Sequence, residues 1–227
     1  MKPETEGVFS ERILAFFRSL YLPGALPKGV HVMNPYRDLY TFGLCQAFYK
    51  KYYSYNMPRI LLLGINPGRH GAGLTGISFT DPVKLENVCG VKNTLTKKTE
   101  LSADFIYRMI DAYGGPDKFY SRYFISAVSP LGFTHIGTNI NYYDNKKLEK
   151  VITPFVVSSI RQLISIGCEL EKCFCIGEGK NFTFLNRLNQ EHRWFDQIIP
   201  LAHPRFIMQY RRKKIDEYIG EYLKKLE

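Results

Sequence analysis

No apolar run in this sequence approaches the ~20 residues that a membrane-spanning helix needs, so an integral helical membrane protein is not expected. Cysteine is sparse: five residues, an odd number with no repeated CxxC pairing, which argues against a disulfide framework. Cys173 and Cys175 lie two apart on an apolar stretch, share a strand face and read as core. Cys168 is near them, but Cys45 and Cys89 follow no cluster spacing, so no metal and no cofactor are expected. There is no internal repeat and no low-complexity segment. A glycine-rich loop at 64–68 lacks the Gly-Lys-Ser/Thr ending of a phosphate loop, and no GxSxG nucleophile elbow exists. Acids are also in short supply, 21 against 31 Lys and Arg, giving a net charge of +10. That excess favours a polyanionic partner, nucleic acid before an anionic membrane.

What is present reads as one globular domain spanning residues 1–227. Hydrophobic residues make up 45% and charged residues 23%, which excludes a disordered chain. The N-terminal MKPETEGVFSER carries acids and lacks a signal-peptide apolar region, so a cytoplasmic protein is expected. Sixteen Tyr and sixteen Phe are compatible with base stacking, although most such rings belong in a core.

Along the chain, apolar periodicity predicts a helix over 9–20 with Ser10 as its cap, and another over 39–53. A short helix is expected after Asp81-Pro82. Residues 91–98 read as an exposed loop or sheet edge. Ser102 is expected to cap a helix that ends at Gly114-Gly115-Pro116. Strands are predicted at 60–63, 123–128, 173–177 and 195–201. Helices are expected from Thr153-Pro154 to Gly167, over 181–188, and as one amphipathic basic helix over 207–226. The alternation implies a three-layer α/β/α domain around a central, mostly parallel four-stranded sheet.

The chain is organised around Arg59 to Thr80, RILLLGINPGRHGAGLTGISFT. A leucine-rich run ending at turn residues is a buried strand, and open α/β sheets put their ligands at the C-terminal ends of such strands. Asn66 is the side chain at this tip that can both donate and accept hydrogen bonds. The residues alone leave two readings open, a ligand loop or a tight turn in which Asn66 bonds its own backbone. His203, in Leu201-Ala202-His203-Pro204, likewise reads either as a functional imidazole or as the cap of a turn. His31, His70, His135 and His192 have no supporting context.

GINPG followed by TGISF resembles the first motif of the uracil-DNA glycosylase superfamily, in particular its single-strand-selective monofunctional (SMUG-type) branch and the second, bacterial subfamily of that branch. Val32-Met33-Asn34-Pro35, Phe124 to Leu131, and Leu201 to Pro204 fall in that family's order. The resemblance implies the uracil-DNA glycosylase-like fold and a monofunctional hydrolase of N-glycosyl bonds, acting in DNA repair on single- or double-stranded DNA as a monomer. It matches Asn66 to the residue that positions the attacking water and His203 to the histidine facing O2 of the leaving uracil. Phe79 matches the aromatic on which the flipped base stacks, and the backbone from Ile65 to Gly68 lines the pyrimidine. An asparagine is a poor general base, so stabilisation of the leaving group and sugar cation should lead, with water arriving late.

The middle motif departs from the family pattern, with Ala127 where an asparagine usually reads the base edge. Ser126 is the nearest hydroxyl, although strand alternation would point it to the other face; Ser129 is a second candidate. Looser base choice follows, with 5-substituted uracil or xanthine as further substrates. Gly71, Ala72 and Gly73 are expected to leave room for a 5-hydroxymethyl group. Arg205, then Phe206, are candidates for the wedge that replaces a flipped nucleotide, and Arg211, Arg212 and Lys213 for phosphate contacts. The alternative is a nucleic-acid-binding module that keeps the fold but has lost catalysis, for which Ala127 is the best support.

Overall fold

A computed structural model of the chain describes residues 7–227; the first half of the acidic N-terminal stretch lies outside them. The apolar run becomes β2 (Arg59–Gly64), buried along its whole length. It lies inside a fully parallel four-stranded sheet of order β3-β2-β6-β7, where β3 is Tyr123–Ala127, β6 Cys168–Ile176 and β7 Gln197–Leu201. A strand covered on both faces needs an unbroken apolar sequence, which Ile60 to Leu63 supplies. Because all four strands run the same way, their C-terminal ends open on one edge.

Helices flank this sheet. α1 (Phe9–Ser19) packs on α2 (Leu39–Tyr52) and on α7 (Lys146–Ser165). α5 (Leu101–Tyr113) packs on α9 (Pro204–Tyr210) and α10 (Ile215–Leu226). Shorter helices α3 (Ala72–Thr75), α4 (Pro82–Asn87) and α6 (Pro116–Arg122), with α8 (Lys180–His192), complete the set. Most of the aromatic excess is core: Phe9, Tyr49, Tyr53, Tyr120 and Phe124 pack ring on ring. A second sheet, antiparallel and not anticipated from the sequence, joins β1 (Val30–Met33), β4 (Gly132–His135) and β5 (Thr138–Ile140).

Several boundaries differ from expectation for local reasons. Ser10 is inside α1, its N–H bonded to the Tyr53 carbonyl, and Val8 starts the helix with Glu11 Oε2 accepting its N–H. Glu100, not Ser102, precedes α5. α7 begins at Asn145, whose side chain accepts from the N–H groups of Lys147 and Leu148, so Pro154 sits inside a helix instead of opening it. β6 begins five residues before Cys173. The expected C-terminal helix is two helices, broken at Arg211 and a 3-10 turn over Arg212–Lys214.

Candidate active site

The C-terminal ends of β2, β3, β6 and β7 surround a cavity of about 660 Å³. Asn66 and His203, 137 positions apart in the chain (203 − 66), both line it. So do Ile65, Gly68, Phe79, Ser126 and Ala127, with Arg205 and Phe206 at the side of α9. Arg211, Arg212 and Lys213 do not line it; they are exposed just beyond, with the Arg211 guanidinium 5.4 Å from the Phe206 ring centre.

Asn66 is held by partners far along the chain. Its Oδ1 accepts the Tyr142 N–H at 3.1 Å, and its Nδ2 donates to the Ile140 carbonyl at 3.3 Å. Those partners settle which atom is oxygen; Nδ2 also reaches the Pro67 carbonyl at 3.4 Å, so what is left for a ligand is the second lone pair of Oδ1. The Tyr142 hydroxyl donates in turn to Asn181 Oδ1 at 2.7 Å, while Asn181 Nδ2 reaches the Ile176 carbonyl at 3.1 Å. The turn after β5 is thereby locked to the tip of the parallel sheet, and with it the amide of Asn66.

His203 both caps a helix and faces the cavity, so its two readings are compatible. Its Nδ1 accepts the Arg205 N–H at 3.1 Å, at the start of α9. The ring proton therefore sits on Nε2, which has no partner among the described residues and is the free donor. Burial, then the charge of Arg205, lowers its pKa to about 4. The group is a neutral donor across the physiological range.

Phe79 holds a left-handed backbone, φ 52°, rare for an aromatic. Its ring lies over Gly64, where an added Cβ would sit 2.7 Å from the ring edge, and its centre is 6.2 Å from that of His203. Glycine at 64 is what admits the aromatic to the cavity wall.

Ser126 and Ala127 both border the cavity, but the Ser126 hydroxyl oxygen is closed off from solvent, so bordering the cavity does not bring that hydroxyl into it. The Ser126 hydroxyl is buried, 1% exposed, and has no hydrogen-bond partner. Ser129 is not a second reader, since its hydroxyl donates to the Leu131 carbonyl at 2.8 Å. The room expected beside Gly71 and Gly73 is not empty: a Cβ on Gly71 would overlap Glu100 Oε2, and one on Gly73 would lie 2.7 Å from the Gly68 carbonyl oxygen.

Sequence reasoning missed Glu100, Asn181, Tyr142, Asn139 and Lys180. Asn181 follows a strand-glycine pattern, Gly177-Glu178-Gly179, that could have marked a ligand loop; Glu100 is an acid at the end of a basic stretch. His70 lines a second, smaller cavity of about 320 Å³ beside Arg69, Glu100 and Arg205; burial and then the charges of Lys98 and Arg69 lower its pKa. Tyr210 is 68% exposed, not packed on the core, and its ring centre is 5.8 Å from that of Phe206. Ile207 is core. All five thiols are buried and unpaired, and among the described residues no three His, Cys, Asp or Glu side chains cluster as metal ligands.

Comparison with known proteins gives two findings. The family model described as the uracil DNA glycosylase superfamily matches residues 50–227. Among solved structures, the crystal structure of wild-type Pedobacter heparinus SMUG2 superimposes with a TM-score of 0.94 at 42% identity, covering 96% of this chain and 97% of that one. No curated protein matches significantly.

Proposed function

This chain belongs to the uracil DNA glycosylase superfamily, and we propose that it is a monofunctional SMUG-type glycosylase that removes uracil from DNA and leaves an abasic site for base excision repair. One observation carries the assignment of its chemistry: a neutral imidazole donor and an anchored carboxamide line a single cavity at the strand tips. As the C1′–N1 bond breaks, the electron pair moves into the base and negative charge grows on its carbonyl oxygen. The Nε2–H of His203 is aimed at that charge and strengthens as it develops, which lowers the barrier without tightening ground-state binding. A depressed pKa suits this role, because a neutral donor does not compete with bulk water for a proton. Asn66, through the free lone pair of its amide oxygen, orients the water that adds to C1′ of the sugar cation.

Phe79 is the stacking platform, the backbone of Ile65 to Gly68 lines the base, and the Ser126 hydroxyl meets its hydrogen-bonding edge. A lone hydroxyl specifies less than an amide would, so xanthine or a 5-substituted uracil joins the substrate range. Arg205 is the wedge, with Phe206 beside it, and Arg211, Arg212 and Lys213 hold phosphates. The enzyme acts as a monomer on single- or double-stranded DNA in the cytoplasm; no helix among the described residues is long and apolar enough to cross a membrane. Incubation with a uracil-containing single-stranded oligonucleotide, followed by hot alkali, tests the reading. Cleavage at the uracil position supports it, and an intact strand refutes it.

A further inference from the structure

Hydrolysis releases a proton from water, and the groups so far assigned give it no destination. The Asn66 amide has no basicity to offer, and Nδ1 of His203 is occupied by the Arg205 N–H. Two carboxylates remain in the cavity lining. Glu178 is exposed at the mouth, whereas Glu100 is partly buried and folded against the loop that follows Asn66. Glu100 Oε1 lies 2.9 Å from where a Cβ on Gly68 would be, and Oε2 fills the place of one on Gly71. Glycine at these two positions is what lets a carboxylate reach the floor of the loop. The Glu100 oxygens make no hydrogen bond or ion pair with any described residue, although the backbone N–H of Glu100 donates to Asp81 Oδ2 at 2.9 Å. A carboxylate left unpartnered inside a cavity is unfavourable to the fold, and such groups belong to ligand sites.

We propose that Glu100 is the general base of the reaction, the carboxylate that accepts the proton of the hydrolytic water held by Asn66. The inference rests on the glycosylase reading above. In the step, the C1′–N1 bond breaks with its electron pair leaving on the base, the water oxygen bonds to C1′, and one water proton passes to a Glu100 oxygen. That proton later returns to solvent or to the released base. The charged groups around Glu100 tune it in opposite senses. Burial, then Asp81, raises its pKa, while Arg205 lowers it; Arg69 and His70 line the second cavity together with it.

Single-turnover excision from a uracil-containing single strand, followed between about pH 5 and 8, provides the test. Wild-type rates should fall on the acid side as Glu100 protonates, with His203 already neutral there. Glu100→Gln keeps the shape but cannot accept the proton, so its rate should drop by about 10²- to 10⁴-fold and lose the acid limb. Glu100→Ala should regain part of its rate on addition of formate, a small carboxylate that fits the vacated space. The melting temperature of Glu100→Gln should equal or exceed that of wild type, since an unpartnered charge is removed. An active wild type whose Glu100→Gln variant keeps both its rate and its acid limb overturns the inference alone. So does a slow variant that keeps the limb and shows no formate rescue, because that pattern marks a structural role. A wild type that releases no base overturns the glycosylase reading and this inference with it.

Discussion

Replacing His203 separates its two jobs. In the proposed reaction the imidazole donates to the leaving base through Nε2; in the fold it caps α9 through Nδ1, which accepts the Arg205 N–H at 3.1 Å. His203→Ala removes both. Loss of a preorganised donor at a developing oxyanion lowers kcat by about 10²- to 10³-fold, or about 2.7–4 kcal/mol. Loss of a side-chain cap destabilises by about 1 kcal/mol, which in a chain of this size lowers Tm by about 2–4 °C. His203→Asn should split the effects, because asparagine is a good cap but its amide stops short of the position of Nε2. Its Tm should stay near wild type while its rate falls as far as that of His203→Ala. The low pKa adds a stability signature with a definite sign. The folded chain resists protonation until about pH 4, whereas an unfolded histidine titrates near 6.5, so the unfolded state binds the extra proton between those values. Stability contributed by neutral His203 is complete above that window and is lost as pH falls through it; His203→Asn should flatten that part of the Tm profile. Single-turnover kinetics with alkaline strand scission and thermal melts across pH read all of this. A His203→Asn enzyme that excises uracil within about threefold of wild type refutes the donor argument.

Three further outcomes follow from the same geometry. Asn66→Asp should not create a better base, because its second oxygen would face the Ile140 carbonyl now bonded by Nδ2 at 3.3 Å; single-turnover rates should drop at least tenfold or so, and an equal or faster variant would contradict the anchoring. Gly64→Ala places a methyl 2.7 Å from the Phe79 ring edge, so the proposed stacking platform must move and KM should rise several-fold; unchanged KM and kcat would remove Phe79 from the base site. Arg211, Arg212 and Lys213 form no ion pair with any described residue, in contrast to Lys214, which pairs with Glu217 at 2.9 Å. Changing all three to Ala should lower the slope of log affinity against log salt for single-stranded DNA by roughly 2, measured by fluorescence anisotropy, and an unaltered slope would make them a solvated surface.

The legible parts of this chain are those whose cause is local. Ile60 to Leu63 reads as a buried strand because four consecutive apolar residues can only be covered on both faces, and Gly114 and Gly167 end helices where they are expected, with φ of 114° and 110°. The antiparallel sheet is not legible, since Val30–Met33, Gly132–His135 and Thr138–Ile140 are three or four residues each and earn their strand geometry only from one another. The break between α9 and α10 falls in a run of four basic residues with no glycine or proline to announce it. Among site residues, Asn66 and His203 carry motifs. Tyr142 and Asn181 act through contacts spanning 76 and 39 positions, which no window of sequence contains.

Ser126 stands at the end of a strand, where alternation meets the edge of the cavity. Alternation assigns neighbouring side chains to opposite faces of a sheet, yet Ser126 and Ala127 both line the cavity. At Ala127 the strand ends and the next two N–H groups, of Val128 and Ser129, bond to the carbonyls of Gly64 and Ile65. The cavity begins where the pleat ends, so the last two residues of the strand both border it. The two serines of this segment then differ in a way that separates structure from function. Ser129 completes its hydrogen bond within the turn, whereas the Ser126 hydroxyl is buried with none, a deficit of about 1–3 kcal/mol for a polar group. A hydroxyl serving the fold usually has a partner, although the Tyr49 hydroxyl, buried in the core, lacks one as well. Under the glycosylase reading, the Ser126 hydroxyl, in a residue bordering the cavity, would find its partner in a bound base once the wall shifts to uncover it.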